Sequence, residues 1–247
     1  MSKATFKVWR SDGERAGAYR DYAVETVPGM VVLDAIHQIQ ATQAPDLAVR
    51  WNCKAGKCGS CSAEINGSPK LMCMTRLSSL PMEEPVTVEP MRTFPLIKDL
   101  VTDVSWNYRV KKAIAPFQAR PADAADGTWR VQQEDIDRVQ EFRKCIECFL
   151  CQDVCHILRD HRMHDEFIGP RFLTYAAALE MNPIDAGDRV GALKDQHGIG
   201  LCNITRCCTK VCPEHIAITE NAIIPLKERV VDQFYDPVRK LLRVFRS

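Results

Sequence analysis

No run of apolar residues in this sequence reaches the roughly 18 that a bilayer-spanning helix needs. A chain with no transmembrane helix of its own is therefore expected. The opening stretch, MSKATFKVWRSDG, lacks the apolar segment of a secretory leader, which points to the cytoplasmic side. An excess of charge is missing as well: 33 Lys+Arg face 32 Asp+Glu, a net +1. A nucleic-acid binder would show a strongly basic face, so no nucleic-acid partner is expected. The glycine-containing stretch GALKDQHGIG has none of the spacing of a phosphate loop. Low-complexity tracts are absent. One absence is local: residues 74–144 contain no cysteine, and this gap divides the chain.

Cysteine is what the chain has in excess, 12 in 247 residues. In a secreted protein they would suggest disulfides, but reduced cytosolic thiols are better suited to metal. They fall into three groups of four: Cys53, Cys58, Cys61 and Cys73; Cys145, Cys148, Cys151 and Cys155; Cys202, Cys207, Cys208 and Cys212.

The part before the gap reads as strands around one helix. ATFKVWR and YRDYAVETV alternate, with Asp12-Gly13 offering a turn, and CSAEINGSPKLMC reads as a hairpin with Asn66-Gly67 at its tip. MVVLDAIHQIQATQ spaces Val31, Val32, Ala35, Ile36 and Ile39 as a helix does, and EPVTVEP closes the sheet. The second part reads as helices, over 94–114, 132–148, 169–182 and 220–234, with RPADAADGTW as a polar linker. The fold class expected is α+β, a sheet domain followed by a helical one.

Group one, C-x4-C-x2-C with a later fourth cysteine, has the plant-type [2Fe–2S] spacing. Three thiolates so close together must wrap one small anionic cluster. Gly56 and Gly59 permit that curl and let N–H groups point inward. Group two is C-x2-C-x2-C-x3-C, the ladder of two-cluster ferredoxins, whose fourth cysteine serves the other cluster. Group three fits the same ladder as Cys202, Thr205, Cys208, Cys212 and Pro213, with threonine on the second rung. By the crossing rule, Cys212 joins Cys145, Cys148 and Cys151 around a [4Fe–4S] cluster. Cys155 joins Cys202 and Cys208, and three thiolates predict a [3Fe–4S] cluster. Cys207 is off register. A small buried apolar residue is its favoured reading, and a substitute ligand in a rearranged loop is the alternative. A zinc knuckle is the plainer alternative for group one, but zinc sites more usually pair two C-x2-C units, and a multi-zinc structural module is the rival for the whole set.

With CKAGKCGSCSAEING, KCIECFLCQDVC and LCNITRCCTKVCPEHIAIT in this order, the sequence resembles the iron–sulfur subunit of succinate dehydrogenases and fumarate reductases. The resemblance covers nearly the whole chain. It implies a β-grasp, plant-type ferredoxin domain over 1–104 and an α-helical two-cluster ferredoxin domain over 105–247. It also implies an FAD-containing dicarboxylate subunit and a quinone-binding membrane anchor as partners, at the cytoplasmic face of the membrane. Single electrons would pass from flavin through [2Fe–2S], [4Fe–4S] and [3Fe–4S] to quinone, with no catalytic residue for the dicarboxylate in this chain. The direction, succinate oxidation or fumarate reduction, is left open, and so is haem on a partner. Two departures from the family pattern stand out: no tryptophan follows Cys155, and Asn203 replaces a histidine after Cys202. His156, His161 and His164 lie near this end, and His156 is a candidate for the quinone path against the plainer reading of a solvated helix face. The basic tail VRKLLRVFRS could lie on anionic lipid or simply on its own domain.

Overall fold

The computed structural model describes residues 2–13 and 16–238. Most of the basic tail, from residue 239 on, lies outside the described residues. The chain divides into two compact units. The first comprises Met1–Trp106, Ile146–Val154 and Val211–Pro213; the second comprises Asn107–Cys145, Cys155–Lys210 and Glu214–Ser247.

In the first unit, β1 (Ser2–Arg10) and β2 (Ala18–Thr26) pair antiparallel from Ser2↔Thr26 to Arg10↔Ala18. Alternation decides which face is buried: Ala4, Phe6 and Val8 point inward, while Lys3 and Thr5 stay exposed. Helix α1 (Val32–Thr42) then buries Val32, Leu33, Ala35, Ile36 and Ile39, the helical spacing expected. β3 (Ser62–Ile65) and β4 (Ser68–Leu71) form the hairpin, with Asn66 (φ 48°) and Gly67 (φ 71°) both left-handed at its tip. β5 (Val86–Glu89) completes a mixed five-stranded sheet of order β2-β1-β5-β3-β4, running parallel to β1 and antiparallel to β3.

The stretch 94–114 departs from the expected helix. It begins as two short antiparallel strands, β6 (Leu96–Lys98) and β7 (Val101–Thr102), and only Ser105–Ala113 is helical, α2. The reason is tertiary. Asp99, at φ 45°, is almost fully buried, and its carboxylate accepts the Ser11 N–H (2.9 Å), the Ala48 N–H (2.8 Å) and the Arg10 guanidinium (2.9 Å). These bonds satisfy a buried charge and hold the chain in a tight turn that helical periodicity cannot foresee.

The α-helices that follow are α3 (Gln133–Gln140), α4 (Leu150–Asp153), α5 (His156–Arg159), α6 (Gly169–Glu180), α7 (Val190–Asp195), α8 (Cys207–Val211) and α9 (Ile224–Phe234), the last entered through a π-helical turn at Ile218–Ile223. The helix expected over 132–148 is shorter than its pattern. It tightens into a 3-10 turn at Glu141–Lys144 and stops before Cys145, which is extended (ψ 119°). In the second unit Arg189 is almost fully buried and anchors the loop before α7. Its guanidinium donates to Asp185 Oδ2 (2.9 Å) and to the carbonyls of Ala115 (2.7 Å) and Pro116 (2.6 Å).

Candidate metal centres

Each cysteine loop is built from alternating backbone hands. Lys54, Gly56 and Gly59 in the first, Glu147 and Phe149 in the second, and Ile204 and Arg206 in the third all have positive φ. Such alternation turns successive N–H groups toward one concave side, where an anionic group is stabilised. For Ile204, β-branched and at φ 61°, that conformation costs about 1–2 kcal/mol. A chain keeps such strain where the surrounding structure fixes it.

In the first loop the N–H groups of Ala55 (3.4 Å) and Lys57 (3.2 Å) donate to Cys53 Sγ, and Cys53 N–H donates to Cys58 Sγ (3.5 Å). Cys73 N–H donates to Cys61 Sγ (3.5 Å), so the group forms two contacting pairs, Cys53–Cys58 and Cys61–Cys73, with Cys58 near enough to act electrostatically on Cys61. Cys73 is held there by α1: Val32 N–H donates to Thr75 O (2.9 Å) and Leu33 N–H to Met72 O (3.1 Å). Burial raises the Cys58 thiol, but hydrogen bonds from the Ser60 side chain and from backbone N–H groups outweigh it and bring it down to about 7. Burial dominates at Cys61, whose thiol is pushed up to about 12.

The second and third groups partition across the two units. Cys148, Cys151 and Cys212 belong to the first unit, and Cys145, Cys155, Cys202, Cys207 and Cys208 to the second. Within the first unit, Ser62 is buried at the start of β3. Its hydroxyl stands 2.8 Å from Cys148 O and 2.9 Å from Gly59 O. A Cβ on Gly59 would come within 2.6 Å of Cys148 Cα, so glycine is required for this approach.

Within the second unit, Cys155, Cys202, Cys207 and Cys208 line one small cavity with Thr205, His156 and Thr219. Burial raises the Cys155 thiol to about 12 and the Cys208 thiol to about 11. Cys208 Sγ lies 3.4 Å from the Thr219 hydroxyl, which Thr209 Oγ1 contacts at 3.1 Å. Cys207 is half-buried and turned to this cavity, with its Sγ 3.3 Å from Thr205 Oγ1, so it is not the buried apolar filler that its off-register position suggests. His156 also faces the cavity, and its buried Nε2 has no partner. His161 stacks edge-on against His156 at 6.2 Å, and neither it nor His164 is part of the lining.

Among the described residues no three His, Cys, Asp or Glu side chains close on a single metal ion. The donor set is instead one of thiols grouped around concave, N–H-lined loops, which fits sulfide-bridged clusters better than lone ions. Ser62 and Thr219 went unnoticed in the sequence. Nothing in the sequence separates them from ordinary strand and helix residues until the fold brings them to cysteines.

Two family models match the chain: a 2Fe-2S iron–sulfur cluster binding domain over residues 5–108 and a 4Fe-4S dicluster domain over 141–216. The sequence is 32% identical over 212 residues to the fumarate reductase iron–sulfur subunit of Mycobacterium tuberculosis, with 84% of each chain covered. The chain belongs to the iron–sulfur subunits of succinate dehydrogenases and fumarate reductases. The succinate dehydrogenase iron–sulfur subunit of Paracoccus denitrificans is 28% identical over 207 residues, covering 83% of this chain and 78% of its own. A chain of the solved Mycobacterium smegmatis Sdh1 complex in the apo form superposes with a TM-score of 0.91 at 59% identity, covering 96% of this chain and 98% of that one. As a member of this family, the iron–sulfur subunit has the α+β organisation expected, a 2Fe-2S domain followed by a 4Fe-4S domain. No described helix of the subunit is long and apolar enough to cross a membrane.

Proposed function

We propose that this subunit carries single electrons from the FAD of a dicarboxylate-oxidising partner to quinone at a membrane-anchor subunit, at the cytoplasmic face of the membrane. Cys53, Cys58, Cys61 and Cys73 hold a [2Fe–2S] cluster; Cys145, Cys148, Cys151 and Cys212 a [4Fe–4S] cluster; Cys155, Cys202 and Cys208 a [3Fe–4S] cluster. Together the three clusters, when bound, supply one-electron redox chemistry in series. The chain's own part is to hold and tune. Backbone N–H groups of Ala55 and Lys57 donate to Cys53 Sγ, and such bonds to sulfur favour the more negative, reduced state. Buried thiols such as Cys61, Cys155 and Cys208 must give up protons on loading, so cluster affinity falls at low pH. The His156 ring, with a buried and unpartnered Nε2 on the Cys155 cavity, is suited to donate a hydrogen bond or proton toward quinone.

The single observation that carries the ligand assignment is the partition of cysteines. Cys212 falls with Cys148 and Cys151, and Cys155 with Cys202 and Cys208, which supports the crossing of the two fourth cysteines; Cys145 falls in the second unit and is assigned to the four-iron centre by its ladder spacing alone. The 59% identity to a chain of an Sdh1 complex favours succinate oxidation over fumarate reduction. Low-temperature EPR of the purified complex tests the reading. A three-iron signal is expected as isolated, and [2Fe–2S] resonances on reduction with dithionite. Zinc in place of iron and sulfide would end the proposal.

A further inference from the structure

The third cysteine group carries one more thiol than its cluster needs. We infer that Cys207 is a latent fourth ligand of the third centre, which lets that site take up one more iron. This rests on the reading that Cys155, Cys202 and Cys208 hold a three-iron cluster there.

Position supports it first. In the ladder the rung without sulfur is Thr205, and the corner of the cluster facing that rung lacks a protein ligand. Cys207 Sγ stands 3.3 Å from Thr205 Oγ1, so a sulfur already lies beside the empty rung. Cys207 is not an isolated thiol. It lines the same cavity as Cys155, Cys202 and Cys208, near enough to act electrostatically on Cys155 and Cys208.

Backbone geometry explains how two adjacent cysteines both reach one cavity. Neighbours on a regular helix point about 100° apart. Here the chain turns through Ile204 (φ 61°) and Arg206 (φ 64°) just before α8 begins at Cys207. The first helical residue is thereby swung toward the cavity that Cys208 already faces. Cys207 and Cys202 are only half-buried, whereas Cys155 and Cys208 are buried, so an incoming aqueous ion meets Cys207 and Cys202 before the other two.

The step balances with ferrous iron as co-reactant. The three-iron core accepts one electron from the relay and becomes neutral in iron and sulfide. Fe2+ would then fill the open corner, exchanging its water ligands for core sulfide and for Cys207 Sγ, whose thiol proton passes to water. The resulting four-iron core has charge 2+, and no electron moves in the uptake step itself.

The experiment uses the purified complex with its partner subunits. Wild type, Cys207→Ala and the double variant Cys207→Ala/Thr205→Cys are reduced with dithionite, incubated anaerobically with ferrous ammonium sulfate, desalted and mildly reoxidised. Wild type is expected to lose most of its three-iron EPR signal and to gain one iron per chain. Cys207→Ala should keep both signal and iron content, and the double variant should regain uptake because a thiol returns to the rung. Equal uptake in wild type and Cys207→Ala, or no uptake in wild type, overturns the inference while leaving the three-thiolate centre standing. Absence of the three-iron signal from every untreated sample, with zinc in place of iron, overturns that parent reading, and this inference with it.

Discussion

The Ser62 hydroxyl lies 2.8 Å from the carbonyl oxygen of Cys148, a residue 86 positions further along the chain. Ser62 follows Cys61 directly, so one hydrogen bond ties a side chain beside the first cysteine loop to the backbone of the second. The same hydroxyl is 2.9 Å from Gly59 O, and Gly59 itself leaves no room for a Cβ against Cys148. Loop spacing here is set by a hydroxyl and a missing methyl.

Ser62→Ala should therefore cost about 1–3 kcal/mol, because a buried carbonyl loses a donor. Gly59→Ala should cost more, since its Cβ meets backbone at 2.6 Å and its φ is +67°. Beyond stability, both changes should weaken the magnetic interaction between the first two reduced centres, read as altered EPR relaxation. Unchanged relaxation in Gly59→Ala would show that this approach does not set their spacing.

Arg189→Met should destabilise the second unit strongly. It strands Asp185 and Glu180, whose carboxylates flank the buried guanidinium at 2.9 and 3.4 Å. Breaking such a pair from one side costs about 3–5 kcal/mol. A fall in melting temperature far exceeding that of Lys112→Met, an exposed control in the same unit, is the expected result.

The Asp123 carboxylate is held at about 2 by the Arg120 guanidinium and the Arg130 N–H. A carboxylate with a lowered pKa stabilises the fold fully above its ordinary value of 3.8. Its contribution fades as pH falls from there through about 2. An NMR titration of the side-chain carboxyl should give a midpoint near 2 in wild type and a return toward 3.8 in Arg120→Ala.

His156→Ala tests the quinone path. Succinate oxidation with quinone as acceptor should fall, whereas reduction of a soluble artificial dye that takes electrons upstream should hold. A parallel loss of both rates would assign His156 to packing around Cys155 instead.

The cysteine spacings alone gave the cluster types proposed for each group, because a small inorganic core tolerates few separations between its thiolates. Periodicity likewise made the β1–β2 pair, α1 and the Asn66–Gly67 hairpin legible, since each buries one face at a regular interval. Other features stayed hidden because they depend on partners far along the chain. Buried Asp99 turns 96–102 into a strand pair in place of a helix, and the extended backbone at Cys145 ends a helix whose pattern continues to Cys148. The fold also turns Cys207 into the Cys155 cavity and brings Ser62 to Cys148, because left-handed residues and close backbone approaches redirect side chains that local periodicity would send elsewhere.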